Sequence, residues 1–87
     1  MLILSRKPYQ KIFVDRKTVQ YIGKGKVKVG PDTHHLAPGD WVTIQPGVRM
    51  CYLGGYRARA NQVRFGFDAP SNVEIWRDDV KKGKRDA

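Results

Sequence analysis

Gln62-Val-Arg-Phe-Gly-Phe67 alternates in a period of two, so an extended chain here places Val63, Phe65 and Phe67 on one face and Arg64 and Gly66 on the other. That pattern is a strand buried on one side, and the rest of the chain reads outward from it. Downstream, Asp68-Ala-Pro-Ser-Asn72 is a loop, and Val73-Glu-Ile-Trp76 resumes the same period. Upstream, Val48-Arg-Met-Cys-Tyr-Leu53 reads as another strand, closed by the turn signal Gly54-Gly55. At the head of the chain, Leu2-Ile-Leu-Ser-Arg6 and Lys11-Ile-Phe-Val14 are short strands, and Pro8-Tyr9-Gln10 between them predicts a hairpin. Arg77-Asp-Asp-Val-Lys-Lys82 has room for one helical turn before Gly83 stops it. The fold class is therefore all-β, in a single domain over 1–87 that ends in a basic tail at 81–87.

Residues 16–47 differ in kind, being rich in glycine and proline and holding both histidines. Thr18-Val-Gln-Tyr-Ile22, Lys26-Val-Lys-Val29 and Trp41-Val-Thr-Ile44 read as short strands there. Gly23-Lys-Gly25 and Pro31-Asp-Thr-His-His-Leu-Ala-Pro-Gly39 separate them. An inserted β-hairpin or small sheet and a mobile flap both fit this composition.

Of 87 residues, 17 are Lys or Arg and 8 are Asp or Glu, a net charge of +9. A surplus of that size makes a polyanion, and nucleic acid first, the partner to expect. With 40% apolar and 10% aromatic residues, full disorder is excluded. No run approaches the ~20 apolar residues of a membrane span, and Arg6 arrives too early for the apolar core of a signal peptide. Cys51 stands alone and has no bridge to form within the chain, so a cytoplasmic, reducing location is expected.

Catalytic motifs are missing. The glycines at 23, 25 and 30 match neither nucleotide fingerprint and read as turn residues. His34 and His35 are adjacent and point apart on a strand, and with one thiol they make no metal site. Ser5 has no histidine at a triad-like spacing, and Asp78 and Asp79 beside Arg77 read as surface carboxylates. Neither an enzyme nor a cofactor is expected.

Four segments, in order, resemble the carbon storage regulator family (CsrA/RsmA) of bacterial RNA-binding translational regulators. Met1-Leu-Ile-Leu-Ser-Arg-Lys7 is similar to that family's opening strand, and a short gap then precedes Ile12-Phe-Val14. Leu53-Gly54 resembles the end of its third strand. Asn61-Gln-Val-Arg-Phe-Gly-Phe-Asp-Ala-Pro70 is similar to its Asn-Gln-Val-Arg strand leading to Ala-Pro. Val73-Glu-Ile-Trp-Arg-Asp-Asp-Val80 follows its fifth strand and the start of its helix. The likeness leaves 16–47 as an insertion between the second and third strands.

The resemblance implies five core strands per chain, interlocked with a second copy as a homodimeric β-sandwich or barrel. An inserted β-hairpin or flap and a shortened C-terminal helix complete that picture. The first strand of one subunit then lies beside the fifth strand of the other, and each such edge binds a GGA motif in an RNA hairpin loop. Binding over an mRNA leader represses translation or changes transcript stability. The matched positions are Leu4, Ser5, Arg6 and Lys7 from one chain, with Ala69, Pro70, Ile75, Trp76 and Arg77 from the other.

The chemistry of those residues agrees with the implied role. Arg77 offers a planar fork to phosphate or guanine, with a surface pair to Asp78 or Asp79 as the plain alternative. Arg6 and Lys7 suit phosphates, whereas Leu4 and Ile75 read by periodicity as core. Trp76 stands where the family usually has His, and both base stacking and packing against the insertion are open to it. Lys24, Lys26 and Lys28 in the insertion, and Arg57 and Arg59 in a longer connection, are candidate additional phosphate contacts. A small regulatory RNA or a protein antagonist are further possible partners, and no membrane association is expected. Two other functions compete: a non-specific nucleic-acid binder on the same scaffold, and a protein-interaction module that heterodimerises with a family member or a protein antagonist.

Overall fold

The structure, a computed structural model, describes residues 1–55 and 61–78. Apolar alternation runs through most of it, and nine strands result among the described residues. They are β1 (Leu2–Arg6), β2 (Lys11–Val14), β3 (Lys17–Gly23), β4 (Lys26–Val29), β5 (Asp32–His35), β6 (Trp41–Gln45), β7 (Val48–Gly55), β8 (Val63–Asp68) and β9 (Ile75–Arg77). No helix occurs among these residues, and none is long and apolar enough to cross a membrane. The all-β expectation holds.

Two antiparallel sheets form, ordered β1-β8-β7-β6 and β5-β4-β3-β2-β9. Each is a meander of consecutive strands, β6 to β8 in one and β2 to β5 in the other. Each is completed by a terminal strand from the opposite end of the chain: β1 pairs with β8 (Leu4↔Phe65), and β9 pairs with β2 (Phe13↔Trp76). The inner faces meet in one core. Tyr21 of β3 reaches across to Tyr52 of β7 and Phe65 of β8, with ring centroids 6.4 and 5.8 Å away. Val63, Phe65 and Phe67 are all buried, as their alternation requires.

Several expectations are corrected. β1 and β2 are not a hairpin; the turn at Pro8-Tyr9-Gln10 hands the chain from one sheet to the other, with Tyr9 at φ 70°. A β-hairpin needs strands that pair with each other, and β8 and β3 have taken those places. Gly54 and Gly55 lie within β7, where the register shifts between Tyr52 and Gly54 and Gly54 adopts φ 86° against Pro38. They make a bulge, not a turn. Asp32–His35, read as loop, is edge strand β5, held to β4 by backbone pairing that needs no apolar face. Arg77 belongs to β9 and Asp78 to a turn after it; residues 79–82 of the expected helical turn and the basic tail lie outside the described residues.

Segment 16–47 supplies β3, β4, β5 and β6, which belong to both sheets. Its Val19, Tyr21, Val27, Val29 and Ile44 are core residues. This stretch is part of the sandwich itself, so the described chain has nine strands and not five plus an appendage. The Gly23-Lys-Gly25 turn is as read: Gly25 sits at φ 79°, and a Cβ there would lie 2.5 Å from the Leu36 carbonyl oxygen. Only glycine fits that approach.

Candidate nucleic-acid interface

The two terminal strands are sheet edges, and the fold brings them together within one chain. Arg6, at the end of β1, is 3% exposed. Its Nη1 donates to Asp78 Oδ1 at 2.8 Å and to the Lys11 carbonyl at 3.2 Å, and its Nε donates to the Ser5 carbonyl at 2.6 Å. The other oxygen of Asp78, Oδ2, accepts the Lys11 backbone N–H at 2.9 Å. A buried guanidinium needs such partners, because an uncompensated buried charge is costly. Arg6 is therefore a clamp between head and tail, and the expectation that it neutralises phosphate is corrected: its donors point inward.

At the opposite end of β1, a hollow of about 210 Å³ is lined by Leu2, Phe67, Ala69, Pro70, Ser71 and Ile75 among others. Head, loop and tail thus converge here as well. Of the residues expected in the site, Leu4 and Ile75 are core, at 5% and 2% exposure, so only their backbone is available to a ligand. Ser5, Ala69, Trp76 and Arg77 are half-buried, while Lys7 and Pro70 are exposed. Lys7 sits in the turn after β1, where its N–H donates to Gln10 Oε1 at 2.8 Å. Asp78 pairs with Arg6, and Asp79, the other carboxylate considered for Arg77, lies outside the described residues.

Trp76 faces outward from β9, opposite Phe13 of β2. Its strand is anchored by Asp15, which sits at φ 51° in the β2–β3 turn. Asp15 Oδ1 accepts the Glu74 N–H at 3.0 Å and Oδ2 accepts Gln45 Nε2 at 2.9 Å, while the Asp15 N–H donates to the Glu74 carbonyl at 2.8 Å. The backbone hydrogen bond from Glu74, and then that from Gln45, hold the Asp15 carboxyl below its ordinary range. Asp15, Arg16, Lys17, Gln45, Glu74 and Trp76 together line an open hollow of about 570 Å³.

Lys26 and Lys28 are exposed on β4, three strands from Trp76 in the same sheet, and Lys24 is in the adjoining turn. Lys24, Lys26 and Tyr9 border a third hollow of about 400 Å³. The structure therefore does not gather these lysines at the head–tail edge; it spreads cations over the sheet. Arg57 and Arg59 lie outside the described residues. Phe13 escaped the sequence reading. The signal was there, because Ile12-Phe-Val14 is an unbroken apolar run and alternation forces its middle member outward. Among the described residues no cluster of three His, Cys, Asp or Glu has metal-site geometry. Comparison with protein families, curated proteins and solved structures gives no match.

Proposed function

We propose that this chain is an RNA-binding post-transcriptional regulator, similar to the carbon storage regulators, that acts in the cytoplasm on GGA motifs in mRNA leader hairpins. The observation that carries the reading is the meeting of β1 and β9 at the Arg6–Asp78 clamp. The clamp joins the residue that follows Ser5 in the head to the residue that follows Arg77 in the tail. In this reading Arg77 contacts guanine or phosphate, Lys7 neutralises phosphate, and the backbone of the β1 edge, with Ala69 and Pro70, borders the unpaired bases. Unpaired loop bases expose their faces and hydrogen-bonding edges, which is what a sheet edge with a planar cation reads. A homodimer belongs to the same proposal. Among the described residues β1 and β9 each have one strand neighbour, so each ends its sheet at a place where a second copy can dock.

The test is a gel-shift comparison of a GGA hairpin with the same hairpin carrying CCA. The parent binds the GGA form preferentially, and Arg77→Ala weakens it at least tenfold, about 1.4 kcal/mol, while remaining folded. Equal affinity for the two hairpins identifies a non-specific binder. A folded Arg77→Ala that binds as the parent does removes Arg77 from the site.

A further inference from the structure

The outer face of the five-stranded sheet has a composition that neither core packing nor the head–tail edge requires. Strand alternation places Lys11, Phe13, Gln20, Lys26, Lys28 and Trp76 on it, while their neighbours Ile12, Val19, Val27 and Ile75 point into the core. Phe13 and Trp76 are cross-strand partners on adjacent strands. Both are half-buried and so keep ring surface toward solvent. Lys11, Lys26 and Lys28 are exposed. In the register Lys11 faces Gln20 and Gln20 faces Lys28, so cations and amide form a row beside the aromatic pair. Asp78 stands opposite Lys11 at the β9 end of that row, its carboxylate taken by Arg6 and the Lys11 N–H, and Asp15 and Glu74 border the hollow beside Trp76 at the sheet's end. From β9 to β4 is three inter-strand steps, about 14 Å.

We infer that this face is a platform for single-stranded RNA, on which bases stack against Phe13 and Trp76 while Lys11, Lys26 and Lys28 follow the phosphates. Two half-buried aromatic residues on the outer face beside a row of cations match a polyanion whose every monomer carries a flat π-face. An acidic protein partner would use the lysines but has no need of paired rings. The inference rests on the RNA-binding reading and extends it: the edge takes the hairpin loop, and the sheet takes the unpaired flank next to the stem.

Fluorescence anisotropy with two labelled RNAs tests it: the GGA hairpin with a blunt stem, and the same hairpin with a single-stranded uridine tail. The tail tightens binding by the parent. Phe13→Leu, which keeps the apolar volume and loses the ring, binds the tailed RNA about tenfold more weakly, the scale of one lost base stack. It leaves the blunt hairpin unchanged, and Phe13→Tyr behaves as the parent. Neutralising Lys26 and Lys28 together (Lys26→Gln, Lys28→Gln) lowers the salt slope on the tailed RNA by ~1.4, at ~0.7 for each phosphate.

If the blunt hairpin binds but the tail adds nothing, or Phe13→Leu matches the parent on the tailed RNA, the platform is overturned and the edge site stands. If GGA and CCA hairpins bind alike while the tail still acts through Phe13, the edge reading falls and the platform stands. Self-association abolished by Phe13→Lys, with RNA affinity intact, marks the face as a protein interface and overturns the inference.

Discussion

Ile12 and Phe13 are consecutive residues of one short strand, and they belong to different parts of the protein's chemistry. Ile12 is 1% exposed and belongs to the core; Phe13 sits on the outer face, paired across strands with Trp76. The same division runs through the whole five-stranded sheet, whose inner face is Ile12, Val14, Val19, Tyr21, Val27, Val29 and Ile75. A half-buried sheet separates stability from recognition at single-residue resolution, because successive side chains leave the backbone in opposite directions. On the proposed reading, substitutions on one face act on folding and those on the other on binding. That separation is what the following experiments break or sharpen.

The largest effect is expected inside. Ile12→Ala deletes buried apolar volume and costs ~2–5 kcal/mol of stability, read as a fall in the urea midpoint, while the fraction that remains folded binds RNA as the parent does. Phe13→Leu moves the midpoint little. Equal losses of stability from the two variants would abolish the distinction between faces.

Next comes the head–tail clamp, which belongs to neither face. Asp78→Ala strands the buried Arg6 guanidinium and removes an acceptor for the Lys11 N–H, at ~2–3 kcal/mol. On the proposed reading the loss of RNA affinity exceeds that of the equally destabilised core variant, because the clamp also ties the end of β1 to the end of β9. A purely thermodynamic effect, with binding unchanged in the folded fraction, would show that the clamp has no part in the site.

The smallest is a pH effect confined to the core. Burial, and then its neighbour Tyr21, push the Tyr52 hydroxyl up to about 12 from its ordinary value of 10.0. A raised value means that the neutral form is favoured in the folded state. Its stabilisation is fully present below pH 10 and is lost as pH rises toward 12. Tyr52→Phe removes that alkaline component without altering RNA affinity at neutral pH. An unchanged alkaline limb in the variant would place the titration elsewhere.

Local pattern carried much of the fold. β1 and β2 have the bounds read from their residues, β8 follows from Val63, Phe65 and Phe67, and β4 from Lys26-Val-Lys-Val29. β5 was illegible because Asp-Thr-His-His has no apolar period; its strand character comes from the β4 edge that it covers. The middle segment read as an insertion because its glycines and prolines signal turns, and turns look alike whether the strands between them are appended or central. In the candidate site, Trp76 and Arg77 stood out by residue type, whereas Phe13 was hidden in an apolar run. Arg6 was misread because charge suggests solvent unless a distant carboxylate is known to be waiting.

Strand identity, the two-residue alternation that sorts core from surface, and a basic surplus suited to a polyanion were all properties of the chain taken in order, since each depends on neighbours a few positions away. Which strands pair, and what Arg6 does, were decided only by the folded molecule. Arg6 and Asp78 are 72 positions apart. They meet because two meanders each leave an open edge that the opposite end of the chain fills, and no local pattern encodes which edge stays open until both sheets have closed.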